Sequence, residues 1–408
     1  MNRRGEHDVI VVGGGPVGAT LALALAHDGF DVALVETRQP QFGARDAALD
    51  PRVVALAPDA TALLHELGAW PLPFPERVGS YRHMCVWDAA APGELRVDAA
   101  ERGEAALGWI VENRHLQHGA WSAFADRLTL VCPGEAVAIE SGATTIDGSD
   151  AAGAGPAASR AVLELADGRR LRARVLAAAE GADSPMRTRL GIGFAGRDYA
   201  QRAVVAHVTT ERPHQDTAWQ RFVPGGPLAF LPLADGRSSI VWSLPSAEAE
   251  RVLALDDAAF RAELGAASDF RLGSILASSP RAAFPLRLRE ASRYVEGRCV
   301  LVGDAAHLVH PLAGQGVNLG LRDVACLRRV LAEARRRGAD IGAAHVLRRY
   351  ARERRSENAL AAHAFDLIER TFSSGSVPLA ALRGAALSAA GRIAPLRRLL
   401  VDAAAGRI

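Results

Sequence analysis

The residues with the most distinctive chemistry lie in a Gly- and Pro-rich loop near the carboxyl end of the chain. Gly303 and Asp304 follow a short apolar run at 300–302, and a helical pattern resumes near Gln315. Glycine lets the backbone turn sharply and approach a ligand closely, and the free N–H groups of a helix N-terminus attract negative charge. The Asp304 carboxylate could accept hydrogen bonds from sugar hydroxyls. This segment therefore predicts a site for an anionic, sugar-bearing ligand.

A second glycine-rich turn lies near the amino end, after an apolar run at 8–12. Gly13, Gly15 and Gly18 form a Gly-x-Gly-x-x-Gly pattern, which is followed by an Ala/Leu-rich helical pattern and a second apolar run that ends in Glu36. In a βαβ unit the first glycine permits the turn, the second lets the backbone approach a pyrophosphate, and the third lets helix and strand pack closely. Glu36 stands where its carboxylate could bind the ribose hydroxyls of an adenosine. The unit predicts a bound dinucleotide.

The glycine pattern alone does not distinguish NAD from FAD. A simple NAD dehydrogenase needs no second nucleotide motif near its carboxyl end, so the segment at 303–318 favours FAD. The N–H groups near Gly316 and Asn318 would face the pyrimidine edge of a reduced flavin, which becomes anionic.

Both motifs resemble those of the flavin-dependent aromatic hydroxylases of ubiquinone biosynthesis, the UbiH type. The Gly-Asp-Ala-Ala-His start of that family matches residues 303–307, and the resemblance extends over the whole chain. It implies an FAD monooxygenase that uses NAD(P)H and O2 to hydroxylate the ring of a polyprenylated phenol, with 2-octaprenyl-6-methoxyphenol as the expected substrate. The family's Pro-x-x-Gly-Gln-Gly-x-Asn-x-Gly-x-x-Asp continuation is matched by Pro311, Gly314, Gln315, Gly316, Asn318, Gly320 and Asp323.

The resemblance implies that the loop before the helical pattern near Gln315 contacts the isoalloxazine ring of the flavin. Pro311, Gln315 and Gly316 are the expected catalytic residues, because this backbone and the helix after it would stabilise the negative edge of the reduced ring. His307 and His310 could carry protons, but a structural role against the cofactor is the favoured interpretation. No metal site is expected, since the histidines lack ligand spacing.

The same resemblance assigns further residues to the cofactor. Arg52 matches an arginine that lies against the flavin nucleotide, with an ordinary surface arginine as the alternative. Arg114 and Gln117 share one helical face and are expected to reach the FAD, with a solvated helix face as the alternative. Gly181 lies in a segment that resembles Ala-Asp-Gly-x-x-Ser-x-x-Arg, in which Glu180 replaces the Asp. The expected FAD-binding set is Gly13, Gly15, Gly18, Glu36, Arg52, Arg114, Gln117, Gly181, Gly303, Asp304, Pro311, Gly314, Gln315, Gly316 and Asn318.

These features imply an α/β fold. An FAD-binding Rossmann-like domain of the glutathione-reductase type is expected to interleave with an antiparallel β-sheet substrate domain, and a helical region is expected to follow. The ranges are 1–75, 100–190 and 280–335 for the FAD-binding domain, 76–99 and 191–279 for the substrate sheet, and 336–408 for the C-terminal helices.

Strand patterns between residues 203 and 244, separated by glycine turns, predict the antiparallel sheet. Such a sheet can be dry on one face. We expect that face to roof the flavin and form the substrate pocket, although each aromatic side chain could instead fill the core. The side chains assigned to it are Trp219, Phe222, Phe230, Leu231 and Trp242.

Composition excludes several functions. The net charge of +2 gives no reason to expect a nucleic-acid partner. None of the 48 basic residues is Lys, which excludes Schiff-base chemistry. The four cysteines lack Cys-x-x-Cys spacing, as expected for free thiols in a reducing compartment. Three glycines and a proline interrupt the apolar run at 9–26, so a strand and a buried helix explain it better than a signal peptide or membrane span. We expect a cytoplasmic protein.

Two segments are atypical. Residues 141–159 are a low-complexity Gly/Ala/Ser run, predicted to be a flexible loop. The tail at 377–408 combines apolar residues with several arginines and a single acid, Asp402. A basic amphipathic helix can lie on anionic lipid, which would place the protein peripherally on the inner membrane. Packing on its own domain, in a homo-oligomer or in a ubiquinone-biosynthesis complex is an equal alternative.

Other function classes compete with this interpretation. A flavin-dependent halogenase should carry a lysine and a Trp-x-Trp-x-Ile-Pro segment, and the chain has neither. A sister hydroxylase would attack another ring carbon, and a prenyl reductase would consume NAD(P)H without O2. A non-catalytic FAD-binding subunit would give no hydroxylated product.

Overall fold

The computed structural model describes residues 5–90, 93–142, 160–308 and 316–373, with the backbone alone at 102 and 361–373. Pro311, Gly314 and Gln315 lie outside these ranges, as do His310, most of the low-complexity segment and the basic tail. Short 3-10 helices lie at Pro75–Arg77, Ala99–Arg102 and Gly303–Ala305. The other elements are β1 (Glu6–Val12), α1 (Pro16–His27), β2 (Val32–Val35), β3 (Val53–Leu56), α2 (Pro58–Glu66), β4 (Gly79–Tyr81), β5 (His83–Asp88), β6 (Glu94–Asp98), β7 (Gly108–Glu112), α3 (Asn113–Ser122), β8 (Thr129–Val131), β9 (Ala136–Glu140), β10 (Ala161–Leu165), β11 (Arg170–Ala178), α4 (Pro185–Arg189), β12 (Phe194–Thr210), β13 (Thr217–Val223), β14 (Gly226–Pro232), β15 (Ser238–Pro245), α5 (Ser246–Ala254), α6 (Asp257–Ala267), β16 (Ile275–Ser278), β17 (Ala282–Ala291), β18 (Val295–Glu296), β19 (Cys299–Leu301), β20 (His307–Leu308), α7 (Gly316–Arg336) and α8 (Ala344–Ser373).

The first sheet has a parallel core in the order β19, β11, β1, β2, β8, with Val9 opposite both Val175 and Val32. Its central strands are apolar runs because both of their faces are covered. Helices α1, α3, α7 and α8 pack on one face. The β9–β10 hairpin and α4 pack on the other. This arrangement confirms the predicted Rossmann-like domain.

The second sheet runs β20, β17, β12, β15, β14, β13, β5, β6, with β16 beside β12. All of its pairs are antiparallel except β13 with β5. The predicted interleaved α/β architecture is therefore confirmed. Strand β17 begins at Ala282, inside a range that the sequence assigned to the FAD-binding domain, yet it pairs with β12 along most of its length.

The two faces of the second sheet have different neighbours. On the outer face, Phe230 and Trp242 pack with side chains of α5 and α6, among them Phe260. On the inner face, Leu231 packs with Ala55 of β3 and Ile110 of β7. A small sheet of β3, β7 and β4 thus joins the second sheet to the nucleotide domain.

The expectation that all five apolar side chains roof the flavin is wrong. Trp219, Phe230 and Trp242 belong to the outer-face cluster, while Leu231 lies on the inner face. Phe222 packs instead with Val86 and Leu95 of β5 and β6. The physical reason is strand parity, because neighbouring residues such as Phe230 and Leu231 must point to opposite faces.

Helices α7 and α8 close the described chain. Their side chains Leu327, Leu331 and Tyr350 are buried on the first sheet. Among the described helices we find no apolar stretch that is long enough to cross a bilayer. The location predicted for the protein stays an expectation, since the basic tail lies outside the described ranges.

The face assignment predicts the effect of truncating Phe260, which is fully buried on the outer face. Phe260→Ala should lower the free energy of unfolding by about 3–5 kcal/mol, because it leaves a cavity under α6. FAD affinity should stay within twofold of the wild type, since this face points away from the nucleotide domain. Urea unfolding and flavin titration would measure the two effects.

Phe270→Ala is the matched control, because Phe270 is 52% exposed in the loop after α6. It should change the unfolding free energy by less than about 0.5 kcal/mol. A large loss of FAD affinity in Phe260→Ala would contradict the face assignment.

Candidate functional site

The candidate site lies at the carboxyl edge of the first sheet. Adjacent parallel strands β19, β11, β1 and β2 end there, and each is followed by a residue that the sequence assigned to the cofactor. Ligands of open α/β sheets bind at this edge. The residues in question are Gly303 after β19, Gly181 after β11, Gly13 after β1 and Glu36 after β2.

Close backbone packing explains two of the predicted glycines. Gly13 has φ +101°, and a Cβ atom there would lie 2.6 Å from the carbonyl oxygen of Ala179, at the end of β11. A Cβ on Gly18 would lie 2.0 Å from the carbonyl oxygen of Gly13. Both positions exclude any side chain, so the turn after β1 is locked against α1 and β11.

Gly15 differs, because a Cβ there would meet no atom within 4 Å. It is the N-cap of α1, whose first turn carries no acidic residue and no side-chain cap. The first N–H groups of α1 therefore face open space with a positive dipole end. The open space at Gly15 and the first N–H groups of α1 form a cradle that matches a pyrophosphate in charge and in size.

The turn is held from both sides at Gly14. The Gly14 N–H donates to Oε2 of Glu36 at 2.5 Å. The Gly14 carbonyl accepts from Nε2 of Gln117 at 2.7 Å and from the indole N–H of Trp121 at 2.8 Å. Glu36 is thereby fixed beside the turn, where its carboxylate fits a ribose. In this structure Gln117 supports the turn from α3, and its direct contact with FAD stays a proposal.

Asp304 lies on the floor of the cleft after β19. Its side chain is exposed, yet protein atoms crowd it enough that desolvation raises the pKa of its carboxyl. It makes no hydrogen bond to any other residue in the described ranges. A carboxyl group in that setting lacks hydrogen-bond donors, which the ribityl hydroxyls of FAD would supply.

Arg52 lies between the nucleotide domain and the second sheet. Its guanidinium carbon is 4.4 Å from the ring centroid of Phe284 on β17, and its charge opposes the pKa increase of Asp304. The side chain is itself exposed. A position between the cleft floor and the substrate sheet fits the predicted contact with the flavin nucleotide, which stays a proposal.

A buried carboxylate that the sequence analysis missed holds the loop that leads to Arg52. Glu112 is 2% exposed and accepts from Nε of Arg77 at 2.7 Å, from Arg114 at 3.1 Å and from the Asp50 N–H at 2.6 Å. Burial acts to raise the pKa of Glu112, but the hydrogen bonds and charges of these partners lower it overall. Arg114 also donates to the carbonyl of Ala48. Arg114 thus holds the loop before β3, and its FAD contact stays a proposal.

Asn318, on the first turn of α7, makes two hydrogen bonds to the backbone around β3, and its predicted contact with FAD stays a proposal. Its Nδ2 donates to the Ala55 carbonyl at 2.7 Å, and its Oδ1 accepts from the Ala57 N–H at 3.0 Å. These bonds pin β3 to α7. Gly316, which begins α7, has open space where a Cβ would point. The predicted contact of the α7 N-terminus with the flavin ring stays a proposal.

The segment after β11 caps a helix. Gly181 has φ +86° and open space around it. Glu180 accepts from the Ser184 hydroxyl at 2.5 Å and from the Met186 N–H at 3.2 Å. Arg187 donates to the Ala182 carbonyl at 2.8 Å. The longer Glu180 side chain thus still accepts hydrogen bonds at the start of α4. Burial raises the pKa of its carboxyl.

Opposite the cleft floor, the inner face of the second sheet offers an apolar wall. Val205 of β12 pairs with Val241 of β15, and Ala203 pairs with Phe284. Val241 and Phe284 are half buried, and Val241 and Val53 of β3 pack against the same apolar cluster. The wall adjoins Arg52 and could accommodate an aromatic ring.

Trp121 and Glu112, and the backbone contacts of Asn318, were overlooked by the sequence analysis. Each acts on the backbone of a distant segment, so no local spacing marks it. The signal for Glu112 is its position at the end of a strand, directly before the predicted Arg114 helix. No cluster of three or more potential metal-ligating side chains occurs in the described ranges.

Two glycine variants separate folding from cofactor binding. Gly15→Ala should leave the apoprotein's stability almost unchanged, because its Cβ meets nothing, but should weaken FAD binding at least about tenfold by filling the approach to α1. Gly18→Ala should instead destabilise the apoprotein, because its Cβ would clash with Gly13. Thermal unfolding of the apoprotein and a flavin fluorescence titration would test this. Equal FAD affinity of Gly15→Ala and wild type would refute binding of the pyrophosphate at Gly15.

Glu180 predicts a pH effect on stability. Since burial raises its folded-state pKa above the usual 4.5, deprotonation costs stability as the pH rises from about that value through the folded pKa. Gln at this position can accept both hydrogen bonds without titrating. Glu180→Gln should therefore gain melting temperature relative to wild type, on the order of a few degrees, as the pH approaches neutrality.

Glu180→Asp is the control, because it keeps a titrating carboxylate. A difference between Glu180→Gln and wild type that does not vary with pH would contradict the prediction. Melting curves between pH 4.5 and neutral pH, recorded on the apoproteins, are the measurement.

Comparison with known proteins agrees with this geometry. A family model described as FAD binding domain matches residues 141–364, and one described as FAD dependent oxidoreductase matches residues 8–49. Among solved structures, p-nitrophenol 4-monooxygenase PnpA from Pseudomonas putida DLL-E4 superposes with a TM-score of 0.74 at 20% identity, covering 98% of each chain. That likeness concerns the fold.

Curated relatives match along the whole chain. It is 36% identical over 403 residues to the 3-demethoxyubiquinol 3-hydroxylase of Escherichia coli (strain K12), covering 98% of both chains. It is 37% identical over 403 residues to the ubiquinone hydroxylase UbiL of Rhodospirillum rubrum, covering 98% of this chain and 90% of the relative. With the two-part nucleotide site, these matches show that the chain is an FAD-dependent monooxygenase and belongs to the ubiquinone-biosynthesis hydroxylase family.

Proposed function

We propose that the protein hydroxylates the aromatic ring of a polyprenylated phenol in ubiquinone biosynthesis, with NAD(P)H and O2 as co-substrates. The observation that carries the proposal is the apolar inner face of the second sheet, which adjoins the nucleotide cleft at Arg52 and Phe284. The names of the full-length relatives support the same substrate class.

Bound FAD would take a hydride from NAD(P)H and activate O2 for transfer to the ring. The protein's share is binding, orientation and exclusion of water. Gly15 and the α1 N-terminus would hold the pyrophosphate, Glu36 the adenosine ribose and Asp304 the ribityl chain. The α7 N-terminus at Gly316 would stabilise negative charge on the flavin's pyrimidine edge.

The substrate ring would lie against the inner face. Val241 and Phe284 provide apolar surface, and Val241 packs against the cluster of Ala55, Ile110 and Leu231. A dry wall matters because water diverts activated oxygen away from the ring. Pro311 and Gln315 remain proposed catalytic residues in this scheme, with Gly316.

Two candidate ring positions follow from different observations. The motif resemblance favours 2-octaprenyl-6-methoxyphenol, whereas the Escherichia coli relative is named for 3-demethoxyubiquinol. Both substrates share a prenyl tail and an electron-rich ring, so one wall could hold either of them.

An assay with the purified protein separates these candidates. FAD-loaded protein, NAD(P)H and each prenylated phenol in turn should give O2 uptake and a product that is heavier by one oxygen atom. The substrate that is converted identifies the ring position. NAD(P)H oxidation without O2 uptake would favour a prenyl reductase, and flavin reduction without product would favour a non-catalytic subunit.

A variant tests the proposed wall. Val241→Trp should raise the KM for the prenylated phenol by about tenfold or more, because the larger side chain fills space needed by the ring. FAD content should not change. Leu276→Trp is the control, since Leu276 is 54% exposed on β16 of the same sheet, and it should leave KM unchanged. An unaltered KM in Val241→Trp would place the ring elsewhere.

A further inference from the structure

A buried carboxylate on α7 joins three separate segments of the chain. Asp323 is 0% exposed. Its Oδ2 accepts from the Gly303 N–H at 2.9 Å and from Nε2 of His307 at 2.6 Å. Its Oδ1 accepts from Nε of Arg354 at 2.7 Å and from Nδ2 of Asn358 at 3.4 Å, both on α8.

Two of these donors bracket the residue that we place against FAD. Gly303 and His307 are the ends of the five-residue turn that carries Asp304. Because a carboxylate can only accept, Nε2 of His307 must carry the hydrogen, which fixes the orientation of the ring. One oxygen atom of Asp323 therefore holds both ends of the turn.

The other oxygen atom depends on α8. Arg354 is 2% exposed, and it also donates to Oδ1 of Asn358 at 2.8 Å and to Glu357. Burial alone would raise the pKa of Asp323, but the charges and hydrogen bonds of His307 and Arg354 lower it overall. The carboxylate is thus ionised at neutral pH and needs the cationic Arg354 beside it.

We propose that Arg354 is a positioning residue for FAD, acting through Asp323 on the turn that carries Asp304, and that it couples α8 to the cofactor site. The proposal rests on FAD binding and does not depend on which phenol is the substrate. Failure of the substrate assay would leave it intact.

Coupling of this kind is reciprocal. If the Arg354–Asp323 contact holds the turn in its FAD-binding conformation, FAD binding must in turn strengthen the docking of α8. Without the Arg354 guanidinium, the buried Asp323 carboxylate loses its main partner on α8. The geometry of its hydrogen bonds to Gly303 and His307 should then change.

The experiment compares Arg354→Met with Arg352→Met, since Arg352 lies on the same helix with an exposed side chain. FAD affinity of each apoprotein is measured by flavin fluorescence. Hydrogen exchange of the α8 amides around residues 350–358 is measured with and without FAD. Asn358→Ala, which removes a weaker contact, serves if Arg354→Met does not fold, and the wild-type exchange experiment needs no variant.

We expect the Kd for FAD to rise about tenfold or more in Arg354→Met, within the range typical of coupled sites. FAD should slow exchange in α8 of the wild type and of Arg352→Met, and this protection should be lost in Arg354→Met. A merely structural role would lower the melting temperature and leave both readouts unchanged. An FAD affinity within twofold of wild type, or no FAD-dependent protection of α8 in the wild type, would overturn the proposal.

Discussion

The site depends on the contact of α1 with the Gly303 turn and α7, which lie almost 300 residues later in the sequence. A Cβ on Gly320 would lie 2.6 Å from the side chain of Val17, and Gly303 approaches the same valine. The N-terminus of α1 and the start of α7 can approach this closely only because both contact positions lack side chains. This contact brings the pyrophosphate cradle and Asp304 to one cleft.

Polar side chains then fix what the glycines bring together. Asn318 holds β3 through two backbone groups, and Glu112 holds the loop that ends in Arg52. The inner face of the second sheet rests on β3 and β7, so the same bonds set the distance between the nucleotide cleft and the substrate wall. Precise sites commonly require polar groups that fix the backbone around the ligand.

The sequence was most informative where functional residues form short motifs with fixed spacing. Gly13, Glu36 and the Gly303-Asp304 pair lie at the edge of the first sheet, because they follow its apolar strands, while Gly15 and Gly18 lie at the start of α1. Their individual contacts with FAD remain predictions. Helix α5 was not predicted, although Pro245 and Ser246 mark its start.

Side-chain direction was less predictable. The error over Phe230 could have been avoided by counting strand parity against Leu231. The role of Asn318 could not, because its partners Ala55 and Ala57 are remote in sequence. Nor could the contact of Asp323 with Arg354, which needs the packing of α8 on α7. Long-range partners of this kind follow from the tertiary arrangement.

The most direct test of the account is a crystal structure of the protein with FAD bound. We predict a single FAD whose pyrophosphate contacts the backbone at Gly15 while its ribityl chain contacts Asp304. A flavin that touches only one of these two turns, or that binds away from the carboxyl edge of the first sheet, would contradict it.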